Sequence, residues 1–297
     1  MRTRLDLNSW LPGECGGQLL VISPVVSREL TINSQKVPNE RKYPEAVSQS
    51  FEYRNIEIWG TVISIQTSDS DKAAFTQACE EARRYYTVID EKFSTFKPES
   101  EVSQIRRGEL RIDDASPEVK MVWNKCLELR ELTQRAFDPW AVVGGFDPSG
   151  FVKGWAAQES LRFFAENQIH HIQINAGGDV VVRGGIDEHT PWTIGVRHPD
   201  FADEIAKSFA LFDGAIASSG TYERGAHIID PRVGVPAVGS RAATVVGPDA
   251  GIADALATAL VVDGRDAVNW MGNEEFKNYS FWAVDKSGDR AWSYARS

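Results

Sequence analysis

Asp254 and Thr258 stand four residues apart in ADALATAL. On a helix that spacing puts a carboxylate and a hydroxyl on one face. Both are hard oxygen donors of the kind Mg²⁺ takes, with water or a substrate phosphate completing its shell. The same pair also suits an aspartate favoured by the helix dipole plus a threonine bonded back to the preceding turn. Upstream, His227 and Asp230 lie three apart in AHIIDPRVG. A side chain that changes charge near neutrality, beside a carboxylate and an arginine, suits proton transfer next to a phosphate. The alternative is a partly buried histidine ahead of an Asp-Pro turn. A third segment, AFDPWAVVGGFDPSGFVKGW at 136–155, gathers Asp138, Asp147, Gly144, Gly145, Gly150 and Lys153 at a helix start. Helix N-terminal amides beside an ammonium suit a phosphate; a Gly/Pro loop capped by aspartates would use the same residues. In NAGGDVVVRGG at 175–185, Asp179 follows a Gly-Gly pair that ordinary turn chemistry also explains.

These residues need elements to hold them. YRNIEIWGTVISIQT at 53–67 alternates and is rich in β-branched residues, which predicts a strand with a kink or bulge at Gly60. Asp69 or Ser70 should cap the helix that follows. Phe75, Ala78, Cys79, Ala82, Tyr85, Tyr86, Ile89 and Phe93 form its apolar stripe at helical spacing. STFKPESE reads as a turn. Ser116 with Pro117 opens a second helix whose buried face is Val119, Val122, Trp123, Cys126 and Leu129. A third helix runs from about Phe151 to Asn167. HIQIN and VVVRG flank the AGGD turn as a strand pair. Further strands are expected at PWTIGVRHP, around FALFDGAIASSG, and at RAATVVGP, YSFWAVD and RAWSYA. Asp249 should cap the helix carrying Asp254. Strands and helices interleave without a βαβ rhythm, so the class is α+β with mainly antiparallel sheets and packed helices. Residues 1–50 show no sustained periodicity and read as an N-terminal extension; 51–297 read as one large domain.

Bulk composition narrows the function. The chain has 297 residues, with 42 acidic against 32 basic groups and a formal net charge of −10. Residues 1–50 carry six basic and five acidic groups, +1, so 51–297 carry −11. That balance argues against nucleic acid, which needs a basic face to replace counterions. It argues equally against a polybasic membrane-surface protein. No apolar run approaches the ~20 residues that span a bilayer. Asp6, Asn8, Pro12 and Glu14 interrupt any signal-type segment after Arg2 and Arg4, so the chain reads as cytoplasmic. Cys15, Cys79 and Cys126 lack CxxC spacing, which argues against a disulfide framework or zinc site. Cys79 and Cys126 fall on apolar helix faces and read as buried thiols.

Taken together and in order along the chain, these segments resemble the ApbE flavin transferase family, the FAD:protein FMN transferases. The resemblance rests on IEIWGTVISI, FSTFKPESEVS, AFD at 136–138, DPSGFVKG at 147–154, Gly-Gly-Asp at 177–179, Ser-Gly at 219–220, HIIDP at 227–231 and DALAT at 254–258. It covers about residues 51–297. Trp59 stands where the family has methionine and Phe96 where it has tyrosine; Pro148 and Ser149 alter the Asp-Leu-Gly-Gly run. The stretch between AFD and FDPSG is shorter than is common in the family. The resemblance implies transfer of the FMN half of FAD onto a Thr or Ser hydroxyl of a target flavoprotein, releasing AMP. It implies Mg²⁺ held by Asp254, Thr258 and the Gly150 carbonyl. It implies an FAD site lined by Trp59, Phe96, Ala136, Phe137, Asp138, Asp147, Lys153, Asp179, His227 and Ile228. His227 is the expected general base toward the hydroxyl, oriented by Asp230. A Mg²⁺-dependent FAD pyrophosphatase would use the same residues with water as acceptor. A flavin-binding protein without catalysis is the third possibility, and it would not need the Asp254, Thr258 and His227 set.

Overall fold

A computed structural model describes residues 50–201, 203–220, 228–288 and 290–295, together with the backbone of 19–22. In chain order the strands and α-helices are β1 (Leu19–Ile22), β2 (Glu52–Ile58), β3 (Thr61–Thr67), α1 (Lys72–Phe93), α2 (Glu101–Arg107), α3 (Pro117–Leu132), α4 (Ser149–Glu166), β4 (Ile172–Ala176), β5 (Asp179–Arg183), β6 (Trp192–Arg197), β7 (Ile205–Leu211), β8 (Gly214–Gly220), β9 (Ile229–Asp230), β10 (Val235–Pro236), β11 (Ser240–Gly247), α5 (Ala250–Asp263), α6 (Val268–Met271), β12 (Ser280–Asp285) and β13 (Ala291–Ala295). The class is α+β, as the sequence predicts. Eight strands form one sheet in the order β13-β12-β11-β8-β5-β4-β3-β2. Its neighbours are all antiparallel. A smaller sheet pairs β7 antiparallel and β1 parallel to β6. That places a strand at Leu19–Ile22, which the lack of periodicity in residues 1–50 did not signal.

The pleat decides what the large sheet covers. On β5, Val181 joins the core under the helices, while Val180 and Val182 pack with Trp192, Ile194 and Val196 beneath the small sheet. A strand buried on both faces reads as an uninterrupted apolar run, here VVV. On the helical side, Tyr86 of α1 is fully buried with its Oη 2.6 Å from Ser160 Oγ of α4. Helices α4 and α5 cross closely. A Cβ on Gly154 would lie 2.5 Å from the Ala250 carbonyl oxygen, and one on Gly251 would lie 2.8 Å from the Phe151 ring. Cys79 and Cys126 are buried free thiols on the faces expected, and burial pushes the Cys79 thiol up to about 12.

Three local readings change. The stretch 53–67 is not one kinked strand but a hairpin, with Ile58 opposite Thr61. Trp59 (φ 57°) and Gly60 (φ 67°) make a two-residue turn with both residues left-handed, the geometry whose twist matches paired strands. A tryptophan at that position gives none of the Asn-Gly signal on which hairpin recognition depends. Asp71, not Asp69 or Ser70, caps α1 by accepting from the Ala73 and Ala74 amides. Asp69 instead accepts from the His170 and His171 amides at 2.7 and 2.9 Å, tying the end of β3 to the start of β4. The turn at STFKPESE leads into α2, whose cap Ser100 accepts from the Ser103 amide at 3.0 Å. Among the described residues, no helix is long and apolar enough to cross a membrane.

Candidate active site

The site is assembled from the start of β5, the end of β8 and the facing N-terminal turns of α4 and α5. Asp179 opens β5 two residues before Val181, so the period-2 pleat turns its carboxylate to the helical side. Asp254 lies one turn into α5, whose start is fixed by Asp249 accepting from the Ile252 amide at 2.8 Å. Lys153 comes from the first turns of α4. Its Nζ is 3.0 Å from Asp254 Oδ2, 3.2 Å from Asp179 Oδ2 and 3.0 Å from the Ser149 carbonyl oxygen. Both carboxylates are buried, with side chains 4% and 6% exposed. Burial alone would lower the Lys153 ammonium, but Asp179 and Asp254 outweigh it and hold the group well above an ordinary lysine. Burial raises the Asp179 carboxyl and the charge of Asp254 adds to the rise, against the opposing pull of Lys153. The ammonium is therefore committed to two carboxylates rather than left free for a phosphate at the helix N-terminus.

Hydroxyls complete the cluster. Thr258, one turn after Asp254, has its Oγ1 3.2 Å from Ser219 Oγ of β8. Ser219 shares strand parity with buried Ala217, which is why it faces α5. Gly150 lies alongside: a Cβ there would come within 3.9 Å of Thr258 Oγ1 and 3.4 Å of the Phe137 ring. Asp179 Oδ2 is buried, with the Lys153 ammonium beside it at 3.2 Å. A set of carboxylate, hydroxyl and carbonyl oxygens is the donor chemistry a hard cation such as Mg²⁺ takes. Among the described residues there is no group of three or more His, Cys, Asp or Glu placed to hold a metal. Any ion here would combine one or two carboxylates with hydroxyl, carbonyl, water and substrate oxygens, as Mg²⁺ usually does.

Around this cluster lie two adjoining cavities. The first, about 290 Å³, is lined by Ala136, Phe137, Asp138, Asp147, Gly150, Lys153, Asp179, Ile228, Asp254 and Thr258, so it collects ten of the residues predicted from sequence. The second, about 420 Å³, is walled by Trp59, Phe93 and Phe96 and shares Asp147, Ser149 and Lys153 with the first. Trp59 is fixed by donating from Nε1 to the Tyr86 carbonyl at 3.3 Å and by an edge contact on the Tyr86 ring. Phe96 is 95% exposed at the rim. The Ala136-Phe137-Asp138 wall is locked from behind. Asp138 accepts from Arg130 Nε at 2.7 Å, from Arg135 at 3.3 Å and from the Trp140 amide at 3.0 Å. Its carboxylate, 2% exposed, therefore shapes the loop that lines the cavity. Asp147 accepts from the Ser149 amide at 3.0 Å, bending the chain into α4.

Two predicted residues stand apart. His227 lies outside the described residues. Asp230 does not line either cavity; it is paired with Arg232, whose Nε and Nη2 donate to it at 2.9 and 3.0 Å. Ser218 and Ser219 also line the first cavity, although the sequence assigns them no site role. The signal for Ser219 lies in the Ser-Gly element at 219–220 and in its even spacing from buried Ala217.

A family model described as "ApbE family" matches residues 59–143 and 144–280, and the chain belongs to that family. It is similar to the FAD:protein FMN transferase of Klebsiella pneumoniae (strain 342), at 26% identity over 156 residues, 49% of this chain and 45% of that one. The chain thus spans about half the length of this curated relative. The fold is similar to that of the flavin transferase ApbE from Vibrio cholerae, with a TM-score of 0.73, 20% identity and coverage of 84% of this chain and 97% of that one. An ApbE protein from Thermotoga maritima aligns with a TM-score of 0.69 and 23% identity, covering 84% and 97%.

Proposed function

We propose that this chain is an FAD:protein FMN transferase. It moves FMN from FAD onto a Thr or Ser hydroxyl of a target flavoprotein and releases AMP. The observation that carries the reading is the buried Asp179–Lys153–Asp254 cluster at the junction of a polar and an aromatic cavity. Buried charge of this kind is costly and is kept where function requires it. Two adjoining cavities, one holding the charged cluster and the other walled by aromatic rings, suit a dinucleotide with an aromatic ring and an anionic pyrophosphate.

In this reading the acceptor oxygen attacks the FMN phosphorus. The bond from that phosphorus to the bridging oxygen breaks, and AMP departs with the bridging oxygen. Mg²⁺, when bound through Asp254, Thr258 and the Gly150 carbonyl, supplies Lewis-acid neutralisation of the pyrophosphate. Lys153 keeps the two carboxylates from repelling each other and the substrate. Trp59 and Phe96 hold the flavin ring by stacking. His227, next in the chain to cavity-lining Ile228, takes the proton from the hydroxyl.

The test is incubation of the full chain with FAD, MgCl₂ and a candidate target flavoprotein, followed by fluorescence on a denaturing gel. A covalent fluorescent band is expected. Free FMN and AMP without a band would instead assign an FAD pyrophosphatase, and neither product would leave a flavin-binding protein. Asp254→Ala should abolish the band while thermal unfolding stays cooperative; full activity in that variant would remove the metal assignment.

A further inference from the structure

We propose that Arg232 is a positioning residue for the FAD site, fastening the wall segment that contains Ile228, Ile229 and Pro231 to the end of the helix that carries Asp254 and Thr258. The inference rests on the FAD reading above and adds a residue to it. The wall needs outside support. Strands β9 and β10 are two residues each, paired Asp230 with Val235 and Ile229 with Pro236. A hairpin that short does not hold itself in water. Its outer residues Val233 and Val235 are 65% and 51% exposed and so bury little to stabilise it.

Arg232 supplies the support. Its Nε and Nη2 grip Asp230 as a fork, and Nη2 also donates to Asp263 Oδ1 at 2.6 Å. Asp263 closes α5, its side chain is 6% exposed, and its other oxygen accepts from Trp270 Nε1 at 2.8 Å. Trp270 is buried against Phe276 and Phe281. One guanidinium therefore ties the cavity wall, through a buried carboxylate, to the rigid core. The Arg232 guanidinium holds the Asp230 carboxyl below the usual aspartate range, as a firm pairing would. A second tether lies just beyond the hairpin. Gly239 and Gly264 cross backbone to backbone, since a Cβ on Gly239 would sit 2.4 Å from the Gly264 nitrogen. Arg232 and this crossing anchor the segment on both sides of Val235. A lysine could reach one carboxylate but could not reproduce the planar fork.

The experiment measures FAD binding by flavin fluorescence quenching, and FAD turnover kinetics, on the full chain and its variants. Arg232→Ala should weaken FAD binding and raise KM about tenfold, with kcat changed far less, because the wall rather than the reacting atoms is displaced. Asp263→Ala should do the same, and the double variant should be no worse than either single one. Arg232→Lys should recover part of the loss. A residue that only stabilised the fold would lower the melting temperature and the active fraction while leaving KM unchanged. Wild-type KM in Arg232→Ala, or strictly additive losses in the double variant, would overturn the inference while leaving the transferase reading intact. If Arg232→Ala does not fold, Arg232→Lys carries the test: about threefold weaker FAD binding supports the inference and wild-type binding overturns it. A wild-type chain that neither binds nor turns over FAD would overturn the reading and the inference together.

Discussion

At the scale of single residues, the site depends on one ammonium serving two carboxylates. Asp179 and Asp254 are both buried, and Lys153 lies within 3.2 Å of each. Replacing the lysine with a neutral chain of similar length leaves two buried carboxyls without their counter-charge, so one must take up a proton or bear the repulsion of the other. Lys153→Met should therefore destabilise the chain by about 3 kcal/mol, the lower end for an orphaned buried ion pair. Urea denaturation should report this as a lower midpoint at unchanged slope. Adding MgCl₂ should raise the midpoint of Lys153→Met more than that of the wild type, because the freed carboxylates gain a cation. An equal response of both proteins would count against cation binding at these oxygens. Asp254 and Thr258 were legible from sequence because helical spacing alone puts i and i+4 on one face. Asp179 sits 75 positions before Asp254, and no local spacing connects them.

At the scale of elements, the contact that bears on the site is the close crossing of α4 over α5. Gly154 allows it, since the Ala250 carbonyl occupies the space a Cβ would need. Lys153 is the neighbouring residue on α4, and its bond to Asp254 spans this same crossing. Gly154→Ala should force the helices apart, at about 1–3 kcal/mol for overpacking. It should also weaken FAD binding, because the Lys153–Asp254 contact lengthens as the helices separate. A fluorescence titration with FAD, run beside thermal unfolding, checks both effects. A variant with lower stability but unchanged FAD affinity would show that the crossing does not set the site geometry. The helix faces were readable from 3.6-residue periodicity, and the α5 cap from Asp249. The Trp59-Gly60 hairpin was not, because Trp-Gly lacks the usual turn signal, and α2 was not, because its seven residues between the Ser100 cap and Gly108 are too few to show a periodic apolar face.

At the scale of the whole molecule, an acidic chain is proposed to bind an anionic dinucleotide. The net charge is −10, and the lysine nearest the proposed pyrophosphate site is already committed to two carboxylates. Long-range repulsion should therefore oppose FAD entry at low salt. KM for FAD, measured at fixed Mg²⁺, should fall as NaCl rises from about 10 to 150 mM, where the screening length contracts from about 30 to 8 Å. A rising KM would place a basic approach path at the cleft mouth. Within this molecule, sequence alone determined what depends on neighbours in the chain: the helices and their apolar faces, the α+β class, and the pairing of Asp254 with Thr258. The HIIDP and DALAT motifs were legible for the same reason. Tertiary structure decided what depends on distant segments meeting. It placed Lys153 between Asp179 and Asp254, turned Ser219 to Thr258, paired Asp230 with Arg232, and joined the two cavities. The physical reason is range: backbone periodicity and capping act within a few residues, whereas a charge cluster forms only where packed elements bring remote side chains within a few ångströms.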